Sequence, residues 1–318
     1  MGQGWNTLAV VIEGPERLAL DRLALESPAD DDIVVSTEWS GISTGTERLL
    51  WSGKMPTFPG MGYPLVPGYE SVGRIEAIGR NVRDRRVGDR VFVPGARCYR
   101  DVRGLFGGAS SRLVVPAARA TPVDESLGEQ AVLLALAATA RHALAAPHAE
   151  APQLIVGHGV LGRLLARITM ASGAPAPTVW ERNPARNSGA EGYRVCTPEE
   201  DDRRDYRAVY DVSGDARILD SLIGRLAPGG EVTLAGFYTE PMSFDFTAAF
   251  MREVRLRVAA EWKDADLTAV LQWIAAGRLS LEGLITHRRE ANAADQAYRQ
   301  AFVDPWCLKM ILDWRQAA

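Results

Sequence analysis

The sequence predicts an α/β chain in which a β-rich module precedes a doubly wound parallel sheet. Three observations carry this. The first third consists of short β-type runs between turn residues. From Pro152, apolar runs of strand length alternate with helical stretches. The glycine-rich turn Gly157-His158-Gly159-Val160-Leu161-Gly162 falls where the first of those strands meets its helix.

In chain order, "TLAVVI", "LALDRLAL", "DDIVVSTEWSG", "VGRIEAIG", "GDRVFVP" and "SSRLVVP" read as strands of an antiparallel, barrel-like module. Residues Ser126 to Ala146 are rich in the helix formers Leu and Ala, and Pro147 and Pro152 close that helix. "PQLIV", "PTVWE", "YRAVYDVSG" and "EVTLAGFY" follow as strands, separated by "VLGRLLARITMASG", a turn, and "DARILDSLIGRLAPGG". The last segment holds a helix "LTAVLQWIAAG", then "LITHRREANAADQAYRQAF", then a strand around "CLKMILDW", and is expected to rejoin the first module. The expected divisions are 1–122, 123–284 and 285–318.

A net charge of -4, from 36 basic and 40 acidic residues, gives no field that would draw the chain to nucleic acid or anionic lipid. The opening residues lack a basic flank and long apolar run, so no secretory signal is expected. The most apolar later run, from Ala131, is broken by Arg141 and His142. This predicts a cytoplasmic protein without stable membrane insertion. Cys98, Cys196 and Cys307 lie too far apart in sequence for a structural zinc site.

The glycine turn sits where a dinucleotide needs it. Gly157 makes the tight turn, Gly159 lets a pyrophosphate approach the backbone, and Gly162 lets helix and strand pack closely, with Val160 and Leu161 opening the helix whose N–H groups face the phosphates. Glu181, 19 residues beyond Gly162, is spaced to accept hydrogen bonds from an adenosine ribose. Its charge repels a 2'-phosphate while Arg182 and Arg186 would attract one; the balance favours NAD over NADP. Val212, Ser213 and Gly236 end later strands and should line the same crevice. His158 occupies the variable position of the turn, a tolerated side chain rather than a catalytic base.

The order of "SGISTGTE", "PGYESVGRIEAIG", "VGDRV", the glycine turn, "YDVSG" and "LAPGGEVTLAGF" resembles the medium-chain dehydrogenase/reductase superfamily over nearly the whole chain. The resemblance implies a GroES-like catalytic domain, a Rossmann domain with the active site in the cleft between them, and a homodimer through the Rossmann domains. Zinc-dependent members hold their metal on a cysteine in G-I-C-G-T-D and a histidine in G-H-E. Here the cysteine position falls on Ser43 or Thr44 and the histidine position on Tyr69, beside Glu70. Neutral hydroxyls are poor zinc ligands, so no metal is expected.

Without zinc, protein groups must carry the proton of an alcohol oxidation. Tyr69 is expected either to donate its phenol to a substrate oxygen or to fill the volume of the lost histidine and metal. Glu70 would relay behind it or serve as a structural carboxylate, and Ser43, Thr44 and Thr46 would form a short hydroxyl chain or satisfy turn backbone. Trp39, Trp51, Phe58, Met61 and Tyr63 suit a flat conjugated ligand and suit core packing equally. The run from "SGISTGTE" to "PGYESVG", with "FVPGARCYRDVRGLFGGAS" and "LLALAATARHAL", is similar to dehydrogenases of bacteriochlorophyll synthesis. That resemblance implies a tetrapyrrole substrate whose 3-(1-hydroxyethyl) group becomes acetyl, with a basic residue such as Lys54, Arg100 or Arg103 meeting a propionate. The alternatives are a zinc-independent quinone or enoyl reductase and an NAD(H)-binding sensor without turnover.

Overall fold

A computed structural model describes residues 4–317; Met1–Gln3 and Ala318, at the outer limits of the expected divisions, lie outside the described residues. The chain forms two compact units, Met1–Leu134 with Leu284–Ala318, and Ala135–Gly283.

The β-branched runs of the first unit make two sheets. At the centre of the larger lies the strand Asp32–Ile42, antiparallel to Ser71–Ile78, Arg112–Pro116 and Lys309–Asp313. Ile33, Val35, Val91, Val93, Leu113 and Val115 form its buried core. The return segment adds the strands Ile285–Glu290 and Lys309–Asp313, joined by the helix Ala294–Val303. Ala294, Ala297, Tyr298, Ala301 and Phe302 recur on one face of that helix and are buried. Register places Met310 opposite Ile42 and Ile311 opposite Gly41, which brings Lys309 to the "SGISTGTE" loop.

The expected division at 122/123 moves to 134/135. Residues 123–134 are tied to the first unit by Arg74, which forks onto the Glu125 carboxylate at 2.8 Å through each nitrogen, and by Arg90, which donates to the Glu125 carbonyl at 2.9 Å. The return begins at Leu284, one residue earlier than expected. The single helix expected over Ser126 to Ala146 is also corrected. Gly128, at φ 49°, breaks it into 3-10 turns across Glu125–Leu133 and an α-helix at Leu134–Leu144.

The second unit carries a six-stranded parallel sheet. Its spatial order is Arg194–Cys196, Thr178–Trp180, Leu154–Val156, Tyr206–Asp211, Leu226–Leu234 and Arg255–Val258. In sequence terms this is 3-2-1-4-5-6, the doubly wound order whose switch point lies between the first and fourth strands. The expected helix within "DARILDSLIGRLAPGG" shrinks to Leu219–Ile223, because the sheet takes the chain from Leu226 onward. Arg255–Val258 is an edge strand with Leu256 and Val258 exposed, and Phe246, Phe250 and Met251 are exposed in the segment just before it. Among the described residues no helix is long and apolar enough to cross a membrane.

Candidate active site

In the second unit, the strand Leu154–Val156 stops at Gly157, whose φ of 104° turns the chain into the helix Val160–Ala171. A Cβ at Gly162 would stand 1.8 Å from the Gly157 carbonyl oxygen, so helix and turn close up only over glycine. At Gly159 a Cβ would meet nothing nearer than 3.9 Å, which leaves the backbone approachable where a phosphate belongs. Val212 and Ser213 lie against Gly157, and Gly236 stands beside Val212 and Tyr238, so three strand ends share this edge. Beyond Ser213 a cavity of about 430 Å³ opens between Gly214, Asp215, Arg217 and Thr239. This chemistry fits a dinucleotide.

Glu181 accepts from the His158 N–H at 3.0 Å and the Asn183 N–H at 2.8 Å, which fixes its carboxylate beside the turn. His158 is fully buried. Its Nδ1 lies 2.6 Å from the Arg186 carbonyl, which can only accept, so Nδ1 carries the proton and Nε2 accepts from the Tyr193 hydroxyl at 2.8 Å. Burial pushes this imidazole down to about 4. The buried Arg163 completes the staple, donating to the carbonyls of His158, Arg186 and Ser188 at 2.7–3.1 Å. A charged residue on the inward side of an otherwise apolar helix pattern was its only sequence signal. Arg182, expected beside the cofactor, points outward to Glu199 at 3.3 Å and is strongly exposed, since alternation along the chain turns it away from Glu181.

In the first unit the candidate catalytic residues Ser43, Tyr69 and Glu70 come together. Tyr69 is half-buried and donates to Ser43 Oγ at 2.7 Å. Burial and the Glu70 charge raise the phenol well above its usual range, against which the Ser43 and Thr46 hydroxyls pull it down. The phenol hydroxyl thus meets Ser43 Oγ and belongs to the loop's hydroxyl cluster. Thr44 and Thr46 stand half-buried at the same loop. Phe106, unremarked in sequence, meets the Tyr69 ring edge-on at 5.5 Å.

Glu70 does not relay behind Tyr69. Lys309 donates to its two oxygens at 2.9 and 2.6 Å and to the Ile42 carbonyl at 3.2 Å, with both side chains buried. Burial pushes the Glu70 carboxyl up, and the ammonium opposes it. A Cβ at Gly41 would lie 2.1 Å from Glu70 Oε2, so glycine is what admits the carboxylate. Glu47, the last letter of "SGISTGTE", is fully buried; it accepts from the Ser43 N–H at 3.0 Å and the Tyr298 hydroxyl at 2.5 Å.

The donor set does not fit a catalytic zinc: two hydroxyls and a carboxylate already held by an ammonium replace thiolate and imidazole. Among the described residues no three His, Cys, Asp or Glu side chains group to hold a metal. The aromatic residues separate. Trp51, Phe58, Met61 and Tyr63 pack against Ile12, Leu50, Met55, Leu65 and Leu105, whereas Trp39 lies between the guanidiniums of Arg90 and Arg315. Arg100 donates to the Leu25 carbonyl and Arg103 to that of Tyr63.

A parallel sheet in doubly wound order, a glycine turn fitted to a pyrophosphate and a β-rich unit bearing a half-buried hydroxyl cluster define an oxidoreductase of the medium-chain dehydrogenase/reductase superfamily. Residues 29–125 match the alcohol dehydrogenase GroES-like domain. The chain is 57% identical over 313 residues to a 2-desacetyl-2-hydroxyethyl bacteriochlorophyllide A dehydrogenase of Rhodobacter capsulatus, covering 98% of this chain and 99% of that one. It is 56% identical to its counterpart in Cereibacter sphaeroides, covering 98% and 100%. An Escherichia coli alcohol dehydrogenase solved with NADH superimposes with a TM-score of 0.83 at 22% identity, covering 98% and 100%. The chain belongs to the 2-desacetyl-2-hydroxyethyl bacteriochlorophyllide A dehydrogenase family.

Proposed function

We propose that this dehydrogenase oxidises the 3-(1-hydroxyethyl) group of bacteriochlorophyllide a, or a close chlorophyllide, to 3-acetyl. The observation that carries the reading is the full-length identity of 57% to the Rhodobacter capsulatus enzyme. NAD, when bound, supplies the two-electron acceptor for the hydride leaving the alcohol carbon. Gly157, Gly159 and Gly162 admit its pyrophosphate, with Val160 and Leu161 at the helix start, and Glu181 takes the adenosine ribose.

Tyr69 accepts the alcohol O–H because its own proton is given to Ser43, and Thr46 steadies the same phenol. That polarity suits an alcohol giving up a proton, and it favours oxidation over reduction of a quinone or alkene and over binding without turnover. No metal takes part. Lys309 and Glu70 hold the loop that carries Ser43.

We further propose that the enzyme works in the cytoplasm as a homodimer. The exposed apolar strip of Phe246, Phe250, Met251, Leu256 and Val258 along an open sheet edge supports pairing with a second copy. The deciding experiment supplies hydroxyethyl bacteriochlorophyllide a with NAD or NADP and identifies the product. Acetyl pigment and NADH in equal amounts are expected; their absence with folded, NAD-binding protein would sink the reading.

A further inference from the structure

An apolar shelf adjoins the hydroxyl cluster of the first unit, and a cation borders it. Phe106 meets the Tyr69 ring edge-on at 5.5 Å and joins Phe58, Met61 and Tyr63 as half-buried side chains seated on the buried core around Leu50 and Leu65. Their inner surfaces are packed; their outer surfaces offer aromatic and thioether groups, which suit the face of a conjugated ring.

The cation is Arg103. The strand Arg103–Gly104 runs parallel to Leu65–Val66, with Arg103 opposite Leu65, and reaches Phe106 within at most about 10 Å of chain. The guanidinium donates to the Tyr63 carbonyl at 3.3 Å, and a Cβ at Gly62 would stand 3.3 Å from its Cζ, so the planar group rests against the chain where Met61 gives way to Tyr63. Arg103 is exposed, and among the described residues it has no carboxylate partner, whereas Arg74, Arg90 and Arg112 of the same unit are matched with Glu38 and Glu76. A guanidinium held at one N–H, with the rest of its donors open, is a fork for a planar carboxylate.

We infer that Arg103 recognises the propionate carboxylate of the pigment and so determines how the macrocycle lies on the shelf, with its hydroxyethyl group at Tyr69 and Ser43. The inference rests on the bacteriochlorophyllide reading above. Hydroxyethyl and propionate stand on different pyrrole rings, and a cation set apart from the hydroxyl cluster but joined to it by an apolar surface matches that arrangement. The other basic residues expected there fit less well. Arg100 donates to the Leu25 carbonyl at 3.1 Å, beside the bridge between Leu25 and Tyr99 in the core of the larger sheet. Lys54, exposed beyond the helix Thr46–Ser52, offers a point charge without a fork.

The test compares the free acid of the hydroxyethyl pigment with the methyl ester of its propionate, each with NAD and the full-length enzyme. The unaltered enzyme should show a KM about 10-fold lower for the acid than for the ester, and added salt should narrow that ratio by screening an exposed pair. Arg103→Gln should raise the KM for the acid to that for the ester, with a much smaller change in kcat. Arg103→Lys should restore part of the preference, a rescue by charge that a merely structural role would not give. Arg100→Gln and Lys54→Gln should keep the ratio of the unaltered enzyme. Equal KM values for acid and ester in the unaltered enzyme, a preference that survives Arg103→Gln, or its loss in Arg100→Gln or Lys54→Gln overturns the inference. If the unaltered enzyme oxidises neither pigment, the substrate reading falls instead, and titration of pigment fluorescence still decides Arg103: the acid must bind more tightly than the ester, and only while Arg103 is present.

Discussion

Lys309 Nζ meets the two carboxylate oxygens of Glu70 at 2.9 and 2.6 Å, across 239 positions of sequence and with both side chains out of water. Replacing Lys309 by Met leaves a buried carboxylate without its cation, which costs about 3–5 kcal/mol. Urea denaturation should show that loss, and the double variant Lys309→Met with Glu70→Gln should recover most of it. A double variant as unstable as the single one would mean that Lys309 acts through packing alone.

Tyr69→Phe keeps the ring against Phe106 and removes the hydroxyl that meets Ser43 Oγ. Turnover of the hydroxyethyl pigment should fall about 10²-fold, with NAD affinity, measured by fluorescence titration, unchanged. Full turnover would reduce Tyr69 to a filler of volume.

Gly162→Ala places a Cβ 1.8 Å from the Gly157 carbonyl, and that neighbour is backbone that cannot step aside. The turn must open, at about 1–3 kcal/mol, so calorimetric NAD affinity should drop while the hydroxyl cluster of the first unit is untouched. Unaltered affinity would remove the turn from the cofactor site.

Stability should depend on pH through two buried groups of opposite sign. Glu47 rises from 4.5 to about 7 on folding, so its contribution is whole below 4.5 and is lost as pH climbs to 7. His158 falls from 6.5 to about 4, so its contribution is whole above 6.5 and is lost as pH drops to 4. Each is worth up to about 3 kcal/mol, and the two slopes oppose each other between 4.5 and 6.5. Thermal melts of Glu47→Gln should therefore gain on the unaltered protein as pH rises through that interval, and those of His158→Asn should lose on it. Parallel curves for all three proteins would contradict both assignments.

Much of the fold was legible because its signals are local. Gly157 and Gly162 were legible as a strand-to-helix turn through spacing to one strand and one helix. The candidate cluster was legible only in half. Ser43 and Tyr69 stood out because they replace expected ligands, but the direction of their hydrogen bond is a matter of geometry. Lys309 and Tyr298 could not be found, since their partners lie some 240–250 positions away and only strand register brings them in. The lysine in "CLKMILDW" gains its partner only where Met310 stands opposite Ile42. The helix across Ser126 to Ala146 failed for a different reason: composition outvoted one glycine, and in the folded chain that glycine decides.

The pairing of Lys309–Asp313 with Asp32–Ile42 also bears on how the molecule is made. On the ribosome, Glu47 and Glu70 are polymerised long before Lys309 and Tyr298, and the whole of Ala135–Gly283 emerges in between. The nucleotide-binding unit has its entire sequence in hand while the first unit still holds two acids awaiting their cation and their phenol. Nascent chains halted before residue 298 should capture NAD yet leave Glu47 and Glu70 without Tyr298 and Lys309; NAD binding by such chains checks this.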